Sequence, residues 1–362
     1  MRLLTIGSVS PMNGGDTQGG VATQHSMINQ EFVFKDELGI EVVGTIATNS
    51  KLDKDPKTGV KYYCCESDET VKSCLERVII LTQPDMILVR HITNAWAAAL
   101  SKIEKLPLCV GYVHSVNALE PTLNPNHLSK KRLMLQALEV MDLLIFNSPH
   151  SLKRAKKLGL ETNCMVKIIP PSARWEFNNK NIEDQQTKEK ILFVGRLDKN
   201  KRVLDVIESF SHYPMYELIV VGDGPLKQNV IEKVKSYPNQ NLTHHDNLNS
   251  IELVTELMDS SILCVPSEYE SFGLVYVEAL CMGVPVIGFQ SSIEFINSCL
   301  GIDCGVPIKE SVQSSIEQAL VKRNNQDWNR EVLSKKAREF FNPYRHAKEM
   351  SEVFHKLKQN MI

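Results

Sequence analysis

The chain has 362 residues, of which 43% are hydrophobic and 23% charged, and it carries a net charge of −2. This length favours about two domains over one core, and the balanced charge, with no long basic block, argues against nucleic acid as the main partner. The N-terminal Met1-Arg2-Leu3-Leu4-Thr5-Ile6-Gly7 is too brief for a signal peptide, no apolar run reaches membrane-spanning length, and the nine cysteines include no Cys-x-x-Cys pair. The expectation is a cytoplasmic protein with reduced, packing cysteines.

In chain order, short apolar runs at 3–6, 42–46, 86–89, 108–113, 143–146 and 166–169 read as strands, alternating with helical patterns such as 21–38 and 129–141. Alternation of this kind predicts an α/β domain with a parallel sheet covered by helices. From Pro170-Pro171 to about residue 190 the chain turns polar, with Asn178-Asn179-Lys180-Asn181 inside, as an interdomain linker does. A second series follows, with strands at 191–194, 217–221, 261–265 and 285–288 and helices at 203–210, 226–235 and 274–282. Asn342 followed by Pro343 starts a last amphipathic helix through Met350, Val353, Phe354 and Leu357. The division is therefore 1–170, 171–342 and a terminal helix over 343–362. Doubly wound domains bind ligands at the carboxyl ends of their strands, so the loops after strands are where chemistry is expected.

The most informative of these loops is Glu270-Ser271-Phe272-Gly273-Leu274, which leads from a strand into a helix bearing Glu278. Unpaired amides near Phe272, Gly273 and Leu274 at that helix start suit an anion. Glu278, two turns further on, has the acceptors for a ribose diol. The eight-residue spacing of Glu270 and Glu278 is by itself a weak signal. After the strand at 191–194 comes Gly195-Arg196-Leu197-Asp198-Lys199-Asn200-Lys201, whose Arg196 and Lys201 are candidates to clamp a diphosphate. The plainer reading is that Arg196 pairs with a local carboxylate and Lys201 is solvated. Gly222-Asp223-Gly224-Pro225 and the Gly19-Gly20 pair are further glycine-rich turns feeding helices. Neither completes a dinucleotide fingerprint, and no Walker lysine motif occurs, which disfavours NAD and ATP hydrolysis. His114 closes the strand at 108–113. Asp53-Lys54-Asp55 has the look of a metal chelator but lies in a lysine-rich loop away from any strand end, so no metal site is assigned.

Taken together, Gly19-Gly20, His114, Gly195-Arg196-Leu197 with Lys201, Gly222-Asp223-Gly224-Pro225 and Glu270-x-Phe272-Gly273 leading to Glu278 resemble glycosyltransferase family 4, retaining enzymes of the GT-B fold. The likeness runs through nearly the whole chain in the expected order and is most specific in the C-terminal half. It implies two Rossmann-like domains facing a cleft, with the final helix crossing back to the N-terminal domain. It further implies a UDP- or GDP-sugar donor, no metal requirement, and a glycan, polysaccharide or lipid-linked acceptor. The resemblance would put Glu278 on the ribose, Arg196 and Lys201 on the diphosphate, Glu270 on the donor sugar and His114 on its hydroxyls.

Two departures stand out. Pro170-Pro171-Ser172-Ala173 replaces an Asn-Gly turn, and Arg202 stands where a glycine often follows the lysine. Acceptor choice is expected from N-terminal loops such as 117–129. The basic run Lys153, Arg154, Lys156 and Lys157, with Leu152 and Leu158 on its apolar side, is a candidate contact with an anionic membrane surface or else a solvated helix face. Rival readings are a nucleotide-sugar epimerase, which would keep the diphosphate attached, a sugar phosphorylase, which would need inorganic phosphate, and a catalytically silent nucleotide-sugar-binding subunit, which would bind without turnover.

Overall fold

Near-continuous apolar strands, rather than alternating ones, are what a parallel sheet covered on both faces requires, and the chain builds two such sheets. The structure is a computed structural model that describes residues 1–10, 20–48, 50–90, 92–116, 119, 125–178, 188–236 and 241–360. The chain divides into one compact unit formed by Met1–Pro171 with Pro343–Ile362 and a second formed by Ser172–Asn342.

The first unit runs β1 Arg2–Gly7, α1 Gly20–Phe34, β2 Glu41–Ala47, β3 Tyr62–Tyr63, α2 Val71–Thr82, β4 Met86–Val89, α3 Ala95–Leu100, β5 Leu108–Val113, α4 His127–Leu138, β6 Leu143–Phe146, α5 Pro149–Lys157 and β7 Met165–Ile168. Its strands lie in the order β3-β2-β1-β4-β5-β6-β7, with every pair parallel. Successive strand residues feed opposite faces. Leu4, Ile6, Ile87, Val89, Cys109 and Phe146 join one apolar cluster, and Leu3, Met86, Leu88, Val110, Leu143 and Ile145 the other. The helical pattern at 21–38 stops at Phe34, and a 3-10 turn, Asp36–Leu38, ends on left-handed Gly39 (φ 64°). The short β3 escaped sequence reading because two residues carry no periodicity.

The second unit runs α6 Trp175–Asn178, β8 Lys190–Val194, α7 Val203–Phe210, β9 Glu217–Val221, α8 Lys227–Ser236, β10 Leu242–His245, α9 Ser250–Asp259, β11 Ile262–Val265, α10 Leu274–Cys281, β12 Val286–Phe289, α11 Gln290–Leu300, β13 Gly305–Ile308, α12 Val312–Asn324 and α13 Arg330–Phe340. The sheet order is β10-β9-β8-β11-β12-β13, again wholly parallel. The segment expected to be a polar linker is corrected in part. Ala173 and Phe177 are fully buried in this unit's core, and α6 packs against α9 and α10. The remainder of that segment, 179–187, lies outside the described residues.

The chain ends in α14, Pro343–Gln359, which belongs to the first unit. Its Ala347, Met350, Phe354 and Leu357 are buried beside Ile28 and Phe32 of α1, and Phe32 and Phe354 meet with ring centroids 6.2 Å apart. His346 Nδ1 bonds to the Pro170 carbonyl at 2.7 Å, joining the residue that leaves the first sheet to the helix that returns to it.

Candidate active site

In the second unit, three loops at the carboxyl ends of β8, β9 and β11 are drawn together by backbone contacts that glycine permits. A Cβ on Gly222 (φ 151°) would lie 1.9 Å from the Gly195 carbonyl oxygen, and one on Gly224 (φ 156°) would lie 2.6 Å from the Leu197 carbonyl oxygen. Gly222 and Gly224 are thus needed for loop-to-loop approach as well as for their own conformation. Leu197, fully buried, anchors the β8 loop. Asp198 caps the following turn by accepting from the Lys201 amide at 3.1 Å. Asn200 ties this turn to the β11 loop: its Nδ2 donates to the Tyr269 carbonyl at 3.1 Å, and its Oδ1 accepts from the Tyr269 amide at 3.2 Å.

That juxtaposition brings two of the expected site residues into contact. Lys201 Nζ forms an ion pair with Glu270 Oε1, and the Ser267 hydroxyl donates to the same oxygen at 3.1 Å. Both side chains are mostly covered, at 19% and 15% exposure. Arg196 is arranged differently, since its side chain is 68% exposed and its Nε lies 3.4 Å from Asp198. This is the local pairing that the plainer sequence reading anticipated.

Beyond Glu270 the chain turns at Gly273 (φ 95°), where a Cβ would meet the Tyr276 ring at 2.2 Å, and enters α10 at Leu274. The first amides of α10 have no intrahelical acceptor and carry the positive end of the helix dipole. The Phe272 side chain contributes to packing rather than to a binding surface: it is 2% exposed and meets Phe341 edge-on at 5.8 Å. Tyr276 locks the loop by donating to the Val265 carbonyl at 2.8 Å and accepting from the Phe289 amide at 3.2 Å. Burial, then the negative charge of Glu270, pushes its phenol well above the ordinary range, so it stays a donor.

Glu278, the acceptor that the sequence suggests for a ribose diol, is 5% exposed and is held by a residue that sequence reading missed. Arg174 donates from Nε to Oε1 at 2.6 Å and from NH2 to Oε2 at 3.0 Å, while its NH1 donates to the Ser250 hydroxyl at 3.0 Å. Burial works against the Arg174 charge, but the charge and hydrogen bonds of Glu278 outweigh it and hold the guanidinium above its usual pKa. The one available signal was Arg174 itself, directly after the atypical Pro-Pro-Ser-Ala stretch.

The first unit carries His114 just beyond β5. Its ring stacks on Tyr112 at 4.3 Å, and the Asn147 side chain donates to its carbonyl at 2.7 Å. Arg90, 1% exposed and just past β4, lies over the Tyr112 ring at 5.0 Å. Burial lowers its pKa to about 10. Gly20 opens α1, whereas Gly19 lies outside the described residues, as do residues 117, 118 and 120–124 of the expected acceptor loop.

Among the described residues, Cys65, Glu69 and Cys74 are the group whose ligand atoms cluster, within 4.8 Å. Both Glu69 oxygens already accept from Arg77 at 2.8 Å, a poor start for a cation site. Asp55 of the Asp-x-Asp motif accepts from the Lys57 and Thr58 amides and the Tyr62 hydroxyl, so it serves its own turn.

Against known proteins, the family described as Glycosyl transferases group 1 matches residues 175–296. An uncharacterized 41.2 kDa protein in the cps region of Klebsiella pneumoniae is 34% identical over 157 residues, 40% of this chain and 42% of that protein. Sequence matches to the first curated relatives thus span about two-fifths of their length. Two solved structures align over almost the full chain. They are sucrose-phosphate synthase from Thermosynechococcus elongatus (TM-score 0.74, 16% identity, 98% of each chain) and Anabaena HepE in complex with UDP (TM-score 0.72, 15% identity, 98% of this chain and 99% of that one). At such identity the likeness establishes a shared fold, the GT-B arrangement of two parallel-sheet domains.

Proposed function

We propose that this chain, which resembles the GT-B glycosyltransferases of group 1, transfers a hexose from a UDP- or GDP-sugar to a glycan, polysaccharide or lipid-linked acceptor, with retention of configuration and without a metal. The observation that carries the reading is the Lys201–Glu270 pair in the β8 and β11 loops, beside the start of α10. It combines a cation for a leaving diphosphate with a fixed carboxylate for a sugar hydroxyl.

In this reading the bond from the anomeric carbon to the diphosphate oxygen breaks with its electron pair going to the diphosphate. The acceptor oxygen forms the new bond and its proton passes to the departing phosphate. Lys201 gives one of its three N–H groups to Glu270 and keeps two for phosphate oxygens. Arg196 has only an exposed pairing to leave, worth at most about 1 kcal/mol. Charge-assisted hydrogen bonds contribute about 1.5–3 kcal/mol each and a helix terminus up to about 2. Lys201, Arg196 and the α10 amides together would supply roughly 3–6 kcal/mol, about a hundred- to ten-thousandfold in rate. Glu270, tied to Lys201 and Ser267, positions a hydroxyl and is not the nucleophile. His114 keeps the part that the resemblance implies, a contact with donor hydroxyls.

Peripheral contact with a cytoplasmic membrane face is part of the proposal. Lys153, Lys156 and Lys157 of α5 are exposed and Arg154 half-buried, and α4 adds Leu128 and Leu135 at 71% and 40% exposure beside Arg132. No described helix is long and apolar enough to cross a membrane. Unchanged binding to anionic vesicles after neutralising the four α5 charges would remove this helix as the contact.

The donor reading is tested by thermal stabilisation with UDP, GDP, ADP, CMP and NAD in EDTA, comparing wild type with Glu278→Ala. A nucleotide diphosphate at about a hundred times its Kd stabilises by roughly 2.7 kcal/mol. A selective shift that is lost in the variant supports the donor site, and no shift with any compound overturns it.

A further inference from the structure

Glu278 and Arg174 form the most completely engaged buried ion pair of the second unit's site. Glu278 is nearly sealed, and both of its oxygens accept from one guanidinium, at 2.6 and 3.0 Å. That guanidinium is itself fixed on two further sides. NH1 donates to Ser250, the first residue of α9, and the planar group lies over the ring of fully buried Phe177 at 4.7 Å. Residues of α6, α9 and α10 therefore define the plane and rotation of one carboxylate.

A bidentate guanidinium occupies one lone pair on each oxygen of a carboxylate while leaving the other. The outcome is two parallel acceptor positions with no donor between them, fixed before any ligand arrives. Two adjacent hydroxyls, each donating to one oxygen, match that array. A single hydroxyl uses half of it and leaves a buried acceptor unmet. Arg174 is not interchangeable with lysine here, because an ammonium is a point donor and does not set the carboxylate plane.

We infer that Arg174 is the positioning residue that makes this site selective for a vicinal diol, so that a ribonucleoside diphosphate is preferred over its 2′-deoxy form. The inference rests on the donor-site reading above and adds a residue and a selectivity to it.

The test is calorimetric titration of the intact chain with UDP, 2′-dUDP, GDP and 2′-dGDP in EDTA. For whichever base binds, wild type is expected to prefer the ribo form by about tenfold or more, the loss of one hydrogen bond to a charged group. In Arg174→Lys and Arg174→Ala the ribo-to-deoxy ratio falls to within about threefold of unity, whatever happens to the absolute affinity. A structural role alone would weaken both nucleotides equally and leave the ratio unchanged.

Because Arg174→Ala leaves a buried charge and risks unfolding, Arg174→Ala combined with Glu278→Gln removes both charges and gives the same collapse if the pair acts as a unit. A wild-type ratio near unity overturns the inference, as does a ratio preserved in Arg174→Lys. Absence of binding by wild type to any of the four overturns the donor-site reading itself, a different result.

Discussion

Replacing His346 by glutamine should remove an acid sensitivity built into the start of α14. The imidazole is fully buried, with Nδ1 donating to the Pro170 carbonyl at 2.7 Å, and Tyr112 lies 6.0 Å away, ring to ring. Burial, then the charge of Arg90, lowers its pKa from 6.5 to about 3. A histidine depressed in the folded state is protonated first in the unfolded chain. Its contribution to stability is therefore complete above pH 6.5 and declines as pH falls from 6.5 towards 3. At about 1.4 kcal/mol per pH unit, lowering the pH from 7 to 4.5 should cost the first unit about 2.5 kcal/mol through this group alone. Carboxylates begin to protonate in the unfolded chain as the pH nears about 4.5, but they are common to both proteins and cancel in the comparison.

Trp96 lies in the first unit, and Trp175 and Trp328 in the second. A Trp175→Phe, Trp328→Phe background therefore makes fluorescence-monitored urea unfolding report the first unit. His346→Gln, whose amide can still donate to Pro170, should lose about 2.5 kcal/mol less than its parent between pH 7 and pH 4.5. The same loss in both proteins would refute the reasoning and move the titration elsewhere.

Gly222→Ala drives a methyl to 1.9 Å from the Gly195 carbonyl, so we expect at least about 3 kcal/mol of destabilisation in the second unit by chemical denaturation, together with weakened nucleotide binding. Tyr276→Phe removes the hydroxyl that donates to the Val265 carbonyl and accepts from the Phe289 amide and should cost about 1–3 kcal/mol in the same assay. Arg202, at φ 55° with its Nε 2.7 Å from Asp205, is strained by about 1–2 kcal/mol. Its replacement by glycine relieves that, gives back about 0.4–1 in unfolded-chain entropy and loses at most about 1 with the ion pair, so the unfolding free energy should change by under about 2 kcal/mol. Sugar transfer should continue in EDTA, and turnover lost on chelation and restored by magnesium or manganese would disprove the metal-free clamp.

Much of the architecture was legible because a parallel sheet needs unbroken apolar strands, and those runs survive in one dimension. The strands at 86–89, 108–113, 143–146 and 217–221 coincide with β4, β5, β6 and β9 residue for residue. The glycine turns and the Glu270-to-Glu278 segment were equally visible, since backbone freedom and helix position are local properties. What the sequence could not reveal is who meets whom. The Lys201–Glu270 contact spans 69 residues and the Arg174–Glu278 pair 104, distances over which no periodicity carries information. Arg174 was hidden inside a stretch whose prolines and polar composition read as linker, yet Ala173 and Phe177 on either side of it are fully buried. Local composition determined the elements and their order. The packing of the loops after β8, β9 and β11, governed by clearances as small as the one between Gly222 and Gly195, decided which charges became partners.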